Sequence, residues 1–508
     1  MGAVRKRYYS IRSSCMKSAL SILPINDGQA TSCSSVAVNI NEPQALDGKV
    51  VFAGRAAVVT LGCAKNQVDS EVMIGVLRNS GFEIVNELSR ADVAIINTCG
   101  FLESAVKESV DCVLELSELK KSGSLRRLLV AGCMVERYKG DIRKALPEVD
   151  SFIALDGLLS VGQAALGTDD SLRDILHEGA RPYFLYDDTM PRHLASRRHM
   201  AYVKVSEGCN RPCAFCIIPQ IRGAMRSRSI ESVAREVQAL GAQGVREINL
   251  VAQDLTAFGN DNGSGRKNDN GSGRLVDLLR TLDDTKAMPW IRLLYAYPVG
   301  VDDELLAAIM DLPSVCEYLD VPLQHASEDV LKAMKRPIGR YGSRRFVEYV
   351  RSKAAGIKLR TTFIVGFPGE TEQDIQDLEN FVADGHFESV GVFTYSPEQG
   401  TAAFDMKDQI SEKEKRARRD RVMLAQQKVR VARNREYIGQ ELDVLVEGPH
   451  EETEMLLSAR TRFQAPEVDG SVLINDVVEG LGIIEPGHMG RLAITEISGY
   501  DLVGTLIA

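Results

Sequence analysis

Three of the ten cysteines in this 508-residue chain fall within eight positions: Cys209, Cys213 and Cys216, in the stretch KVSEGCNRPCAFCIIPQIRG at 204–223. Three thiolates at C-x3-C-x2-C spacing can ligate three corners of one metal centre. A structural zinc ion is one alternative, but such an ion takes four closed Cys or His ligands. The nearest histidine, His199, stands ten positions before Cys209, and no fourth cysteine is near. Buried or paired thiols are another alternative, although an odd set of three does not pair off.

Cys63, Cys99 and Cys133 occur in TLGCAKN, NTCGF and AGCM, each one or two residues after a short run rich in Val, Ile, Leu or Ala. Those runs, at 56–61, 93–97 and 127–131, read as strands, and the longer amphipathic stretches at 67–79, 102–120 and 135–146 read as helices. Strands alternating with helices imply a doubly wound α/β domain with a parallel sheet. Ligands bind such sheets at the carboxyl ends of their strands. Three cysteines far apart in sequence therefore converge on one edge, a geometry that suits a second metal centre. Taken singly, each could be a small buried residue at a strand end. Cys112 lies among Val110, Val113 and Leu114 and reads as core, while Cys15 and Cys33 receive no role.

Strand–helix alternation resumes after 200. Strands are expected at 201–206, 247–251, 291–295, 317–321, 359–365 and 389–394, which gives an open (β/α)6 partial barrel. Chemistry in such barrels sits at strand carboxyl ends. Cys209 follows the first strand, and Gln253, Asp254, Tyr297, Gln324 and His325 follow later ones. Residues 363–370, FIVGFPGE, follow the fifth; Gly366 allows close backbone approach to a ligand, and Glu370 offers an acceptor to an amine or a ribose. Lys335–Pro337 ends a helical segment with two cations, read first as a solvated helix end and alternatively as a contact to substrate. A charged helix at 411–434 precedes short alternating strands, including 441–446, 455–459, 491–497 and 500–506. These suggest a small OB-like β-barrel.

The expected order is an extension at 1–55, an α/β domain at 56–167, a linker at 168–199, the partial barrel at 200–410, a linking helix at 411–436 and the small barrel at 437–508. The extension is basic and serine-rich, read as disordered or, alternatively, as an organellar transit peptide. DNGSGR occurs at 261–266 and again at 269–274, the composition of a flexible inserted loop. No apolar run reaches the roughly 18–20 residues of a membrane-spanning helix. The cysteine usage fits a reducing compartment, with the cytoplasm as first choice.

The combination resembles the radical S-adenosylmethionine (SAM) methylthiotransferases over roughly 56–508. Within that family it is similar to the RimO type, which methylthiolates an aspartate of ribosomal protein uS12. The resemblance rests on TLGCAKNQVDSE (60–71), NTCGF (97–101), SEGCNRPCAFCIIPQIRG (206–223), PLQHAS (322–327), MKRP (334–337), FIVGFPGE (363–370) and APEVDG (465–470). It implies a 4Fe-4S cluster on Cys209, Cys213 and Cys216 whose open iron chelates SAM. It implies a second 4Fe-4S cluster on Cys63, Cys99 and Cys133. SAM would serve as both radical source and methyl donor. Gln253, Gly366 and Glu370 are the expected SAM contacts. The terminal barrel would be a TRAM domain, and the partners would be uS12 or the small ribosomal subunit and an electron donor.

Two rival functions are a tRNA adenosine methylthiotransferase and a non-catalytic iron–sulfur factor that binds ribosomes. Charge separates the first from the leading reading. The formal net charge is −9, yet residues 437–508 alone carry three Lys or Arg against thirteen Asp or Glu, a net of −10. Phosphate neutralisation dominates nucleic-acid affinity, so an acidic module repels tRNA and attracts a basic protein.

Overall fold

The computed structural model describes residues 52–167, 174–175, 184–195, 197–261, 274–336 and 342–508. The extension up to 51 with Cys15 and Cys33, most of the 168–183 linker and the DNGSGR repeat between 262 and 273 lie outside them. The described residues fall into two compact units. The first comprises 52–184 with 189–195 and 220–223; the second comprises 185–188, 197–219 and the remainder from 224.

The first unit is built on β1 (Gly54–Thr60), β2 (Phe82–Ile84), β3 (Val93–Thr98), β4 (Arg127–Gly132), β5 (Ser151–Ile153) and β6 (Asp174–Ile175). All pair in parallel, in the order β2-β1-β3-β4-β5-β6. β3 is buried along its whole length. Its alternate residues serve opposite faces: Ala94 and Ile96 join one core cluster, Val93 and Ile95 another. A parallel sheet covered on both faces requires such a run of small and β-branched residues. Each aliphatic side chain fully buried there contributes about 1.5–3 kcal/mol. Cys112 packs against the first cluster, as its neighbours suggest. The stretch expected as one helix at 135–146 is two, Cys133–Arg137 and Ile142–Ala145, parted by a turn through Gly140.

In the second unit, β7 (Met200–Lys204), β10 (Glu247–Val251), β11 (Trp290–Leu293), β12 (Val315–Asp320), β13 (Lys358–Val365) and β14 (Ser389–Thr394) form a parallel six-stranded sheet, in the order β14-β13-β12-β11-β10-β7. The first expected strand ends early. Val205 still bonds the Val251 carbonyl, but Ser206–Glu207 (β8) leaves the sheet and pairs antiparallel with Arg226–Ser227 (β9). These two short strands frame the base of the cysteine loop.

A helix, Glu412–Arg435, leads to β15 (Glu441–His450), β16 (Thr453–Thr461), β17 (Val472–Val477), β18 (Met489–Ser498) and β19 (Asp501–Leu506), which close into a barrel. Val444, Val446, Ala459, Ile474, Leu492 and Ile494 fill it. Closure removes sheet edges, which suits so small a module. The sheet and this small barrel share one compact unit. Arg460 and Asp469 reach side chains of β10, β12 and β13, and Arg292 of β11 reaches the Thr461 and Arg462 carbonyls.

Candidate metal centres and their surroundings

In the first unit, adjacent strands β1, β3 and β4 deliver Cys63, Cys99 and Cys133 just past their carboxyl ends. Cys63 stands immediately before helix Ala64–Asn79, and Cys133 opens helix Cys133–Arg137. The glycines beside them let them approach. A Cβ on Gly62, whose φ is +99°, would stand 2.9 Å from Cys99 Cβ and 3.2 Å from its Sγ. One on Gly100 would stand 2.5 Å from the Cys133 carbonyl oxygen. Burial pushes the Cys99 thiol up and the Cys133 thiol up to about 12, and in both the neighbouring thiols act in the same direction. At Cys99 the neighbour is Cys63, and at Cys133 it is both Cys63 and Cys99, which fits three sulfurs lying close together.

Polar residues of the NQVDSE and NTC motifs hold this edge. Asn66 donates to the Leu61 carbonyl at 2.9 Å and the Thr98 carbonyl at 3.0 Å. Asn97 donates to the Asn66 carbonyl at 2.7 Å and to Ser70 Oγ at 2.9 Å. Thr98 Oγ1 donates to the Ala131 carbonyl at 2.6 Å, tying β3 to β4 next to their cysteines. Glu71 accepts from Arg192 at 2.6 Å. Each of these buried side chains makes at least one hydrogen bond, as interior polar side chains generally do. Arg222, six positions beyond Cys216 in sequence, belongs to this unit. It donates to Cys133 Sγ from Nη2 at 3.1 Å and from Nε at 3.3 Å.

In the second unit, Cys209, Cys213 and Cys216 occupy the loop between β8 and β9; Cys213 pushes the Cys209 thiol up, and Cys213 and Cys209 push the Cys216 thiol up, each behind the larger effect of burial. The loop is anchored through Ala214, whose N–H donates to the Met334 carbonyl and whose carbonyl accepts from Ala403, both at 2.8 Å. Burial pushes the Cys216 thiol up to about 12. Arg336 donates to Cys213 Sγ at 3.5 Å and to the Pro322 carbonyl at 2.6 Å. Arg211 donates to Asp254 at 2.7 Å. Both guanidinium carbons lie over the Tyr297 ring, at 4.0 Å for Arg211 and 4.4 Å for Arg336, a cation–π arrangement beside the thiolates. Arg336 is thus not the solvated helix end expected from sequence: it is 7% exposed. Lys335 takes a left-handed turn, φ 51°, and the Arg336 N–H bonds back to Leu331, closing the preceding helix.

Of the expected SAM contacts, Gln253 keeps an open acceptor. Its Nε2 donates to Glu207 at 2.6 Å, while its buried Oε1 lacks a partner among the described residues. The buried Gln324 Oε1 is likewise unpartnered there. Gln324 and Tyr295 also adopt left-handed backbone, φ 74° and 66°, just beyond the carboxyl ends of β12 and β11. Strained residues of this kind gather at ligand sites. Glu370 and Gly366 are placed differently from the expectation. The Glu370 carboxylate accepts from the Gly366 N–H at 2.9 Å and from Arg418 at 2.8 Å, with His325 Nε2 at 3.4 Å. A Cβ on Gly366 would collide with the Lys415 side chain at 2.3 Å, so this glycine serves packing and a φ of +76°. Both residues are thus engaged in shaping their own loop.

Two sets of three thiolates with N–H donors aimed at sulfur fit iron–sulfur clusters, whose potentials respond to such bonds. Among the described residues no three Cys, His, Asp or Glu side chains close to the spacing of a single ion. Thiolates that each bind a different iron of a cube need not converge that far. Sequence reading singled out the six cysteines but gave no role to Arg222 and took Arg336 first as part of a solvated helix end. Both arginines lie inside motifs singled out for other reasons, IRG and MKRP.

Comparison with known proteins agrees with this organisation. Residues 55–154 match Uncharacterized protein family UPF0004, residues 203–382 the Radical SAM superfamily, and residues 438–507 the TRAM domain. The ribosomal protein uS12 methylthiotransferase RimO of Anaeromyxobacter sp. (strain K) is 45% identical over 90% of this chain and 94% of its own length. That of Syntrophotalea carbinolica is 45% identical over 89% and 97%. That of Solibacter usitatus is 45% identical over 89% and 95%. With identity of this level running from the first cysteine trio through the terminal barrel, the chain belongs to the RimO family of radical SAM methylthiotransferases.

Proposed function

We propose that this chain replaces a hydrogen on the β-carbon of an aspartate of ribosomal protein uS12 with a methylthio group. Cys209, Cys213 and Cys216 hold one 4Fe-4S cluster with SAM; Cys63, Cys99 and Cys133 hold a second. The observation that carries this reading is the pair of cysteine trios, one delivered by three strand ends and one by a single loop, each given an arginine donor on one sulfur. An unactivated C–H bond offers no acidic proton, so side-chain acids and bases do not suffice; the clusters and SAM supply the radical and group-transfer chemistry. The chain's residues bind and orient. Gln253 offers a buried acceptor to the SAM amine, Tyr297 and the two arginines wall the cluster loop, and Gln324 presents a second acceptor.

The substrate assignment draws on the acidic small barrel. Glu441, Asp443, Glu451, Glu452, Asp476, Glu479, Glu485 and Glu496 are exposed there, a surface suited to a basic protein and unsuited to tRNA. We assign the activity to a reducing compartment, the cytoplasm, with a one-electron donor as partner. The test is anaerobic incubation of reconstituted enzyme, SAM, sulfide and dithionite with a uS12 peptide or with tRNA, read by product mass. A methylthio gain on the peptide is expected. A gain on tRNA alone overturns the substrate, and absence of 5′-deoxyadenosine overturns the enzyme reading.

A further inference from the structure

Arg222 is 3% exposed, and every polar atom of its guanidinium has a partner. Nε and Nη2 donate to Cys133 Sγ, Nη2 also to Asn66 Oδ1 at 2.6 Å, and Nη1 to Asp69 Oδ2 at 3.0 Å. Asn66 is pinned by two carbonyls, and Asp69, 1% exposed, lies one turn further along the same helix. The guanidinium therefore cannot turn away from the sulfur without abandoning a buried carboxylate. Removing one partner of such a pair leaves an uncompensated charge. The residue comes from the segment that carries Cys209, Cys213 and Cys216, yet its charge is spent on the other trio.

We infer that Arg222 is a positioning residue that sets the reduction potential of the cluster on Cys63, Cys99 and Cys133, with Asp69 moderating it. The inference rests on the proposal that this trio holds a cluster. N–H donors and positive charge at a ligating sulfur stabilise the electron-rich form and raise the potential. A buried carboxylate behind the guanidinium partly cancels that effect. The two residues thus act with opposite sign, a signature that mere scaffolding does not produce.

The experiment uses the full-length chain with Cys209, Cys213 and Cys216 replaced by Ala, so that one cluster alone reports. After anaerobic reconstitution, iron is counted and the cluster is titrated with dithionite while its paramagnetic resonance is followed. Arg222→Gln is expected to shift the midpoint to more negative potential, Arg222→Lys to recover much of the shift, and Asp69→Asn to shift it to more positive potential. Unmoved midpoints, or shifts of the same sign in Arg222→Gln and Asp69→Asn, overturn the inference while leaving the two-cluster proposal standing. Should Arg222→Gln fail to fold, a midpoint in Asp69→Asn that stays put or falls overturns it equally. A parent chain that takes up no iron overturns the two-cluster proposal and this inference together.

Discussion

Cys213 and Cys316 are both cysteines of the second unit, and their surroundings divide them. Cys213 is part-exposed and accepts from Arg336; Cys316 is fully buried in β12, its thiol pushed up by burial against the opposing charge of Arg292. Cys213→Ala should abolish SAM cleavage, measured as 5′-deoxyadenosine. Cys316→Ala should keep most of it at a stability loss of about 1 kcal/mol. Arg336→Met removes a charged donor from Cys213 and from the Pro322 carbonyl, an interaction worth about 1.5–3 kcal/mol. SAM cleavage should fall about tenfold or more, and an unchanged rate would show that Arg336 only packs. At this scale the cysteines were legible because Cys63, Cys99 and Cys133 each follow a strand-like run and Cys209, Cys213 and Cys216 share one close spacing. The arginines were not: a lone cation has no period, and only the fold shows that Lys335 turns the next side chain inward.

Helix Glu412–Arg435 lies nearly where a charged linking helix is expected at 411–436, but its composition does not show how it is seated. Lys415, Arg418, Val422, Gln426, Arg430 and Asn434 form a buried stripe at helical spacing, five of the six polar. Lys415 donates to the Tyr395 carbonyl, Arg418 to Glu370, Arg430 to the Glu388 and Asp469 carbonyls, and Asn434 to the Tyr500 carbonyl. Hydrophobic periodicity cannot reveal a helix seated by hydrogen bonds. The short strands β2, β5 and β6 escaped for a related reason: two or three residues carry no alternation to read. Asp469 of APEVDG is the partner of this architecture, accepting from Tyr318 at 2.5 Å and from the Ala465 N–H at 2.9 Å, with Arg360 at 3.3 Å. Asp469→Ala leaves Tyr318 and the Ala465 N–H short of an acceptor, while Arg360 keeps Asp320 at 2.9 Å, and should cost about 1–3 kcal/mol, read from the urea midpoint.

For the molecule as a whole, iron analysis of fully reconstituted protein should give about eight irons per chain, and a count near four would leave one trio without a cluster. The fold class was legible throughout because strand–helix alternation repeats over hundreds of residues. The union of sheet and small barrel was not, since it depends on charges distant in sequence. Glu247 and Arg292 are both 0% exposed and pair at 2.8 Å, and Arg460 reaches Glu247 at 2.6 Å and Glu447 at 2.7 Å. Burial pushes both glutamates up, but Arg460, aided by Arg292 at Glu247 and by Arg197 at Glu447, holds them below the ordinary carboxylate range. A depressed carboxylate gives stability that is present above its unfolded value of 4.5 and lost as pH falls below it. The urea midpoint should therefore drop on acidification, and Glu447→Gln should flatten that drop.

The joint between Arg460–Asp469 and strands β10 to β13 bears on chimeras. Replacing the last seventy residues with the matching module of a tRNA-directed relative would take Arg460 away from the buried Glu247–Arg292 pair and Asp469 away from Tyr318 and Arg360, leaving each short of one partner. A graft that keeps the native 460–469 connector and exchanges only the outward-facing strand positions avoids that fault and changes the paint without moving the wall.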